Sequence, residues 1–311
     1  MKKVLFVDTV HPYLWEKLQK EGYSCIEGYD LSEKTIIEQH NDIYGLVIRS
    51  RIIINANFLS QFNKLTFIAR AGSGMENIDV NYAHSKNIRA INAAEGNKQA
   101  VAEHALGMIL SLFNNLNKAD SEVRKSIWQR EENIGIELSG KTVGIIGYGN
   151  NGSALAKVLS GFDTKVLAYD KYKTNYTPKY AIESDMQTIF EQADILSLHI
   201  PLKEETQYLV KDSFLKQFYK PIYLINTSRG ACLDTKSLLA NLKSGKVLGA
   251  CLDVLEYEKK SFENLSEQTT ELKQLLESNK VILSPHVAGW TQESQLKIAQ
   301  VLFQKINIQT E

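Results

Sequence analysis

An arginine, a cluster of acids and a histidine each stand just beyond an apolar run in the second half of the sequence. Residues 222–225 lead into Asn226-Thr227-Ser228-Arg229-Gly230. Residues 248–252 lead into Asp253-Val254-Leu255-Glu256-Tyr257-Glu258, and residues 281–283 into Ser284-Pro285-His286-Val287-Ala288-Gly289. In open α/β sheets, ligands bind outside the carboxyl ends of the strands, so these groups should converge on one edge. Their types suit proton and hydride exchange at an alcohol carbon. A histidine, with an ordinary pKa of about 6.5, can take the hydroxyl proton. A nearby carboxylate raises that pKa and fixes the ring tautomer. An arginine fork grips a substrate carboxylate through two parallel hydrogen bonds.

A second constellation supplies the redox partner. The apolar run 143–146 ends in Gly147-Tyr148-Gly149-Asn150-Asn151-Gly152, and an apolar helical pattern (Ala154, Leu155, Val158, Leu159) follows. This is GxGxxG between a strand and a helix. The first glycine permits the tight turn, the second lets a pyrophosphate approach the backbone, and the third allows close helix–strand packing. Asp170 closes the next run, 18 residues beyond Gly152. A carboxylate there accepts the ribose 2′-OH and repels a 2′-phosphate, so the cofactor is expected to be NAD rather than NADP. Lys171 and Lys173 stand against that expectation.

Elements of one kind must position these groups. Nine short runs of Val, Ile, Leu and Phe recur along the chain, starting at residues 4–7, 45–48 and 65–69 and ending at 281–283, with amphipathic stretches between them. Runs apolar on both faces are strands of a parallel sheet covered by helices, so the fold class is α/β with βαβ units. From Asn97 to about Ile127 the pattern (Val101, Ala105, Met108, Ile109, Leu112) predicts one long helix connecting two α/β sets. A last helix from about Gln292 should return to the first set. The expected domains are 1–96 with 291–311, built from both chain ends, and a nucleotide domain over 97–290.

Composition narrows the function classes. The 311 residues carry 36 Lys+Arg and 36 Asp+Glu, so no basic excess points to nucleic acid or an anionic membrane. No stretch approaches the roughly 18 apolar residues of a membrane span. The apolar N-terminal run stops at Asp8, too short for a signal peptide. Cys25, Cys232 and Cys251 are far apart and form no CxxC pair, which points to reduced thiols and to neither a disulfide framework nor a metal site. The expected location is the cytoplasm.

These motifs together resemble the D-isomer-specific 2-hydroxyacid dehydrogenases, most closely the phosphoglycerate dehydrogenase branch. The resemblance rests on Arg70-Ala71-Gly72-Ser73-Gly74-Met75-Glu76-Asn77-Ile78-Asp79, on Val101-Ala102-Glu103, and on the glycine fingerprint. It rests also on Leu198-His199-Ile200-Pro201-Leu202, on Asn226 to Gly230 and on Ser284-Pro285-His286. It implies a Rossmann-type doubly wound parallel domain plus a smaller flavodoxin-like α/β domain built from both chain ends. It implies Arg229 as the substrate arginine, His286 as the acid/base and Glu258 as its partner, with Glu256 as the alternative in register. Cofactor contacts are implied for Gly147, Gly149, Asn150, Asn151, Gly152, Asp170, His199, Pro201, Thr227, Ser228, Asp253 and Gly289. Backbone N–H groups around Ser73 and Gly74 are implied to meet the substrate carboxylate. Pairing as homodimers through the nucleotide domain is implied too. The chain departs from the family at Asn150, often basic, at Ala288, often glycine, at Lys259, commonly proline, and at Ala100, often serine.

Arg49 and Arg51 follow the run 45–48, and Arg70 ends the next. Several arginines near a carboxylate site would suit a substrate that also carries a phosphate, such as 3-phosphoglycerate, and so a step of serine biosynthesis. The alternatives are glyoxylate or hydroxypyruvate reduction, and a non-enzymatic NAD(H)-sensing corepressor of the same fold. The chain ends about 25 residues past His286, so no feedback by serine through a C-terminal regulatory domain is expected.

Overall fold

The computed structural model describes residues 1–176, 179–258, 265 and 269–308. They fall into two units. One holds residues 1–98 with 290–308, and the other 99–258 with 265 and 269–289.

In the first unit five parallel strands are β1 (Lys2–Phe6), β2 (Tyr23–Glu27), β3 (Gly45–Ile48), β4 (Phe67–Arg70) and β5 (Arg89–Asn92), in the order β2-β1-β3-β4-β5. That is a flavodoxin-like order. Apolar side chains fill both faces: Leu5, Leu46, Ile48 and Ile68 on one, Val4, Phe6, Val47 and Phe67 on the other. The second face is closed by the helix Gln292–Asn307, which contributes Ala299, Leu302 and Ile306. A capping box starts this helix: Thr291 Oγ1 accepts from Ser294 N at 3.0 Å, and Ser294 Oγ accepts from Thr291 N at 2.9 Å.

In the second unit seven parallel strands are β6 (Thr142–Ile146), β7 (Lys165–Tyr169), β8 (Ile182–Glu183), β9 (Ile195–Leu198), β10 (Ile222–Asn226), β11 (Val247–Leu252) and β12 (Val281–Leu283). Their order is β12-β11-β10-β9-β6-β7-β8. The order reverses between β6 and β9, the switch point at which such sheets open a crevice. Register aligns the functional loops. Ile146 pairs with Tyr169 and Leu198, so Gly147, Asp170 and His199 leave the sheet together. Leu252 pairs with Asn226 and Leu283, which brings Thr227, Asp253 and Ser284 to the same edge.

The connector differs from the single helix expected. It is two helices, Lys98–Phe113 and Leu116–Arg124, interrupted at Asn115 with φ 51°. Asparagine tolerates this left-handed conformation, and the second helix buries none of its residues, so no packing holds it in line with the first. Three strands escaped the apolar-run criterion: β2, β5 and β8. All three are sheet edges with few fully buried positions, where a run of apolar residues is not required.

Candidate active site

The fingerprint loop is shaped by what a side chain would strike. Gly147 sits at φ 93°, and a Cβ there would lie 2.4 Å from the His199 carbonyl oxygen. A Cβ on Gly152 would lie 2.1 Å from the Gly147 carbonyl oxygen, so helix Asn150–Leu159 can approach β6 only because that atom is missing. Gly149 has open space beside it, and no side chain caps the helix. Asn150, the first residue of the helix, is exposed. Asp170 is fixed by two backbone donors, Tyr148 N to Oδ2 at 2.9 Å and Tyr172 N to Oδ1 at 3.0 Å. A cavity of about 430 Å³ is lined by Gly147, Gly149, Asp170, His199 and Pro201.

These residues fit a dinucleotide. Asn151 Oδ1, His199 Nδ1 and Thr227 Oγ1 are buried polar atoms with no hydrogen-bond partner among the described residues. All three belong to residues that the motif assigns to the cofactor, and an orphaned buried group of this kind is costly unless a ligand meets it. Gly147, Gly149 and Gly152 would admit the pyrophosphate, and Asp170 the ribose hydroxyls.

His199 lines the cavity, its Nδ1 is enclosed, and its Nε2 lies 2.9 Å from Ser197 Oγ. Burial pushes its pKa down to about 4, so the ring is neutral near pH 7. The unfolded chain would titrate at the ordinary value of about 6.5. Stability is therefore full above about pH 6.5 and falls as pH drops toward 4, by on the order of 3 kcal/mol. Denaturant unfolding at about pH 7.5 and about pH 4.5 should show the fall, and His199→Gln should lose less across that interval. An equal loss in both proteins would remove His199 as its source.

At the opposite half of the sheet edge, Asn226 is fully buried and its side chain organises the turn after β10. Its Oδ1 accepts from Ser228 N at 3.0 Å and from Ser228 Oγ at 2.7 Å, and its Nδ2 donates to the Arg229 carbonyl at 3.0 Å. Arg229 donates from a terminal guanidinium nitrogen to the Ser228 carbonyl at 2.6 Å. Next to it, a Cβ on Gly230 would lie 2.0 Å from the carbonyl of Leu255, so the loops after β10 and β11 are packed backbone to backbone.

The loop after β11 carries the acid. Glu258 Oε1 accepts from Leu255 N at 2.6 Å, and Oε2 lies 2.7 Å from His286 Nδ1. The pair is largely enclosed, with side-chain exposures of 13% and 25%. Glu256 is engaged elsewhere: its Oε2 accepts from Thr235 N at 2.7 Å, at the start of helix Thr235–Ser244. The carboxylate beside the histidine is thus Glu258. It assigns the Nδ1–H tautomer and leaves Nε2 as the acceptor nitrogen. Lys259, the departure that follows Glu258, lies outside the described residues.

His286 has φ 57°, a left-handed backbone that a side-chain-bearing residue adopts only under constraint. Asp253 supplies the constraint. Its carbonyl accepts from His286 N at 2.7 Å. Its carboxylate, 1% exposed, accepts from Val287 N at 2.9 Å, Ala288 N at 2.9 Å and Ser284 Oγ at 2.6 Å. Ser284 Oγ also meets His104 Nε2 at 2.8 Å. His104 was not singled out from the sequence, although it directly follows the Val101-Ala102-Glu103 motif, and Ser284 entered there only as part of the Ser284-Pro285-His286 motif. Gly289 lies in the turn that follows.

The first unit holds the remaining candidates, and they differ in what they do there. Arg49 is pinned through its backbone, with N donating to Asp8 Oδ2 at 2.5 Å and O accepting from the buried Asn77 Nδ2 at 3.2 Å. Its guanidinium stacks 3.9 Å from the ring centre of Trp290, a residue that sequence reasoning passed over and that is 58% exposed. Arg51 uses its guanidinium on the carbonyls of Val7, Gly28 and Leu31 at 2.9–3.2 Å. That binds three backbone segments together and gives Arg51 a scaffold role, unlike Arg49. The Arg70 side chain lies over Gly72, where a Cβ would overlap it. Ser73 Oγ donates to Asn97 Oδ1 at 2.8 Å and its carbonyl accepts from Asn92 Nδ2 at 2.7 Å, which secures the loop that continues into Gly74.

Among the described residues no helix is long and apolar enough to cross a membrane, and no group of three His, Cys, Asp or Glu could hold a metal ion.

Comparison with known proteins adds the following. Residues 106–288 match the family model for the D-isomer specific 2-hydroxyacid dehydrogenase, NAD binding domain. The chain is 30% identical to D-3-phosphoglycerate dehydrogenase of Archaeoglobus fulgidus over 306 residues, 98% of this chain and 56% of that protein. It is 34% identical to hydroxypyruvate reductase of Thermotoga maritima over 264 residues, 84% of this chain and 83% of that protein. Among solved structures, D-2-hydroxyisocaproate dehydrogenase superposes with a TM-score of 0.84 at 27% identity, covering 98% and 95% of the two chains. The chain thus spans about half the length of the D-3-phosphoglycerate dehydrogenases it matches.

Proposed function

The chain belongs to the D-isomer specific 2-hydroxyacid dehydrogenase family, and from that premise we propose that it is an NAD-dependent enzyme interconverting a D-2-hydroxy acid and its 2-keto acid, with 3-phosphoglycerate as the preferred substrate. The observation that carries the reaction class is the Glu258–His286 pair, 2.7 Å apart, beside a turn that presents Arg229. NAD, held by the Gly147–Gly152 loop and Asp170, would supply the hydride-transfer chemistry. Arg229 receives the substrate carboxylate as a fork. His286 Nε2 takes the hydroxyl proton in oxidation and returns it in reduction. Glu258, accepting from Nδ1–H, holds the ring and favours the imidazolium that forms.

Arg49 supports the phosphorylated substrate. Its backbone is fixed, its guanidinium lies 3.9 Å from the ring centre of Trp290, and a guanidinium fork matches the geometry of a phosphate. The reaction would then feed serine biosynthesis. The 34% identity to hydroxypyruvate reductase over 264 residues supports a second reading, reduction of unphosphorylated keto acids. NADH consumption with 3-phosphohydroxypyruvate, hydroxypyruvate, glyoxylate and pyruvate decides between them. The proposal expects preference for the phosphorylated acid and a KM for it at least about 10-fold higher in Arg49→Ala, the effect of losing a charged contact. Equal or better rates with the other acids would make this a general keto acid reductase. Tight NADH binding without turnover on any of them would leave a nucleotide sensor.

The same reading makes the protein a homodimer through its nucleotide unit. Helix Leu116–Arg124 buries no residue, and Leu116, Trp128 and Ile134 on and after it are 53–76% exposed, apolar side chains suited to meeting a second copy. Light scattering should give twice the chain mass of 35.1 kDa, and Trp128→Glu should shift it toward the monomer. A monomeric native protein would refute this.

A further inference from the structure

Lys171 and Lys173 follow the ribose-binding aspartate directly, and lysines there would favour a 2′-phosphate. Both are diverted. Lys173 Nζ donates to the Tyr148 carbonyl at 2.9 Å, on the fingerprint loop itself. Lys171 Nζ donates to Glu205 Oε2, and the Tyr172 hydroxyl donates to Glu205 Oε1. A third cation, Lys203, lies 4.8 Å from the ring centre of Tyr172. Glu205 comes from a different part of the chain, the loop after β9. Thr206 fastens that loop: its Oγ1 accepts from Lys203 N at 2.8 Å and donates to the Pro201 carbonyl at 2.7 Å. Asp170, Lys171, Tyr172 and Glu205 line one wall of the 430 Å³ cavity.

We propose that Glu205 is a specificity-determining residue for the dinucleotide, one that engages Lys171 and Tyr172 and so withdraws the cation a 2′-phosphate would need beside Asp170. The inference rests on the reading of this cavity as the adenosine–ribose site. Asp170 disfavours a 2′-phosphate by its own charge. Glu205 adds a second carboxylate at the same wall and converts Lys171 from an attraction into half of an ion pair. The pairing lowers the pKa of Glu205 and raises that of Lys171, each through hydrogen bonding to the other, so both remain charged near pH 7. The pair is exposed, and salt should weaken it.

The test is equilibrium titration of the intact protein with ADP and with 2′,5′-ADP, which needs no turnover. In Glu205→Gln the amide is isosteric but uncharged. ADP affinity should change by less than about twofold, while 2′,5′-ADP should bind about 10-fold more tightly, the scale of one charge-assisted contact to phosphate. The gain should shrink at high salt and disappear when Lys171→Ala is added. An unchanged ratio of the two affinities, or a gain that survives Lys171→Ala, would overturn the role of Glu205. If native protein binds neither nucleotide, the reading of the cavity itself fails. Asp170→Ala should narrow the native ratio on its own, and together with Glu205→Gln it should narrow it further.

Discussion

His286→Ala should lower turnover by about 10³-fold, within the roughly 10²–10⁴ that a positioned acid/base contributes, and leave NADH affinity within a few-fold of native. The reason is the arrangement at Nδ1: Glu258 fixes the tautomer, and no other imidazole among the described residues is paired with it. The backbone at 286 is left-handed, so alanine also strains the loop. His286→Asn is the better control, because asparagine tolerates that conformation while lacking the base. Stopped-flow hydride transfer and fluorescence titration of NADH separate the two effects. If His286→Asn retained near-native turnover, the acid/base would have to be another residue. Glu258→Gln should lower turnover less, since the amide oxygen can still accept from Nδ1–H while the carboxylate charge is lost.

Asp253→Ala should be the most damaging single change outside the base itself. The carboxylate is 1% exposed and gathers Val287 N, Ala288 N and the Ser284 hydroxyl. Truncation leaves those donors unmatched in the interior, at about 1–3 kcal/mol for each that water does not reach. A total loss of about 3–5 kcal/mol is expected, together with turnover close to that of His286→Ala, because the loop that holds His286 loses its anchor. Asp253→Asn should not rescue it. Its amide nitrogen would face either Val287 N or Ala288 N, a donor against a donor. Denaturant unfolding and turnover measured together test this. Native-like stability and rate in Asp253→Asn would show that Asp253 does not carry the loop.

Much of this was legible in the sequence because parallel strands buried on both faces leave continuous apolar runs, and glycines that admit no Cβ leave a fixed spacing. The runs that became β6, β7, β9, β10 and β11 could be read directly, and so could the edge they share. Edge strands such as β2 and β8 could not, because one covered flank demands fewer apolar residues. The two acids at 256 and 258 were ambiguous for a physical reason. They stand two residues apart in one loop, and only their distant partners tell them apart, Thr235 N for Glu256 and His286 for Glu258. Arg49 and Arg51 posed the same difficulty. Residue type makes them equivalent, whereas one lies on Trp290 and the other holds three carbonyls. Long-range partners such as His104 with Ser284 or Glu205 with Lys171 leave no local pattern at all.

The helix Gln292–Asn307 closes one face of a sheet whose strands lie within the first 92 residues. During synthesis that face, with Val4, Phe6, Val47 and Phe67, leaves the ribosome early and waits for roughly 200 further residues before its cover exists. At roughly 5–20 residues per second the wait is roughly 10–40 s, long compared with hydrophobic collapse. The nucleotide unit, nearly continuous in the chain, can finish first. The N-terminal segment is therefore the part of the nascent protein most dependent on a chaperone to keep its apolar surface from associating.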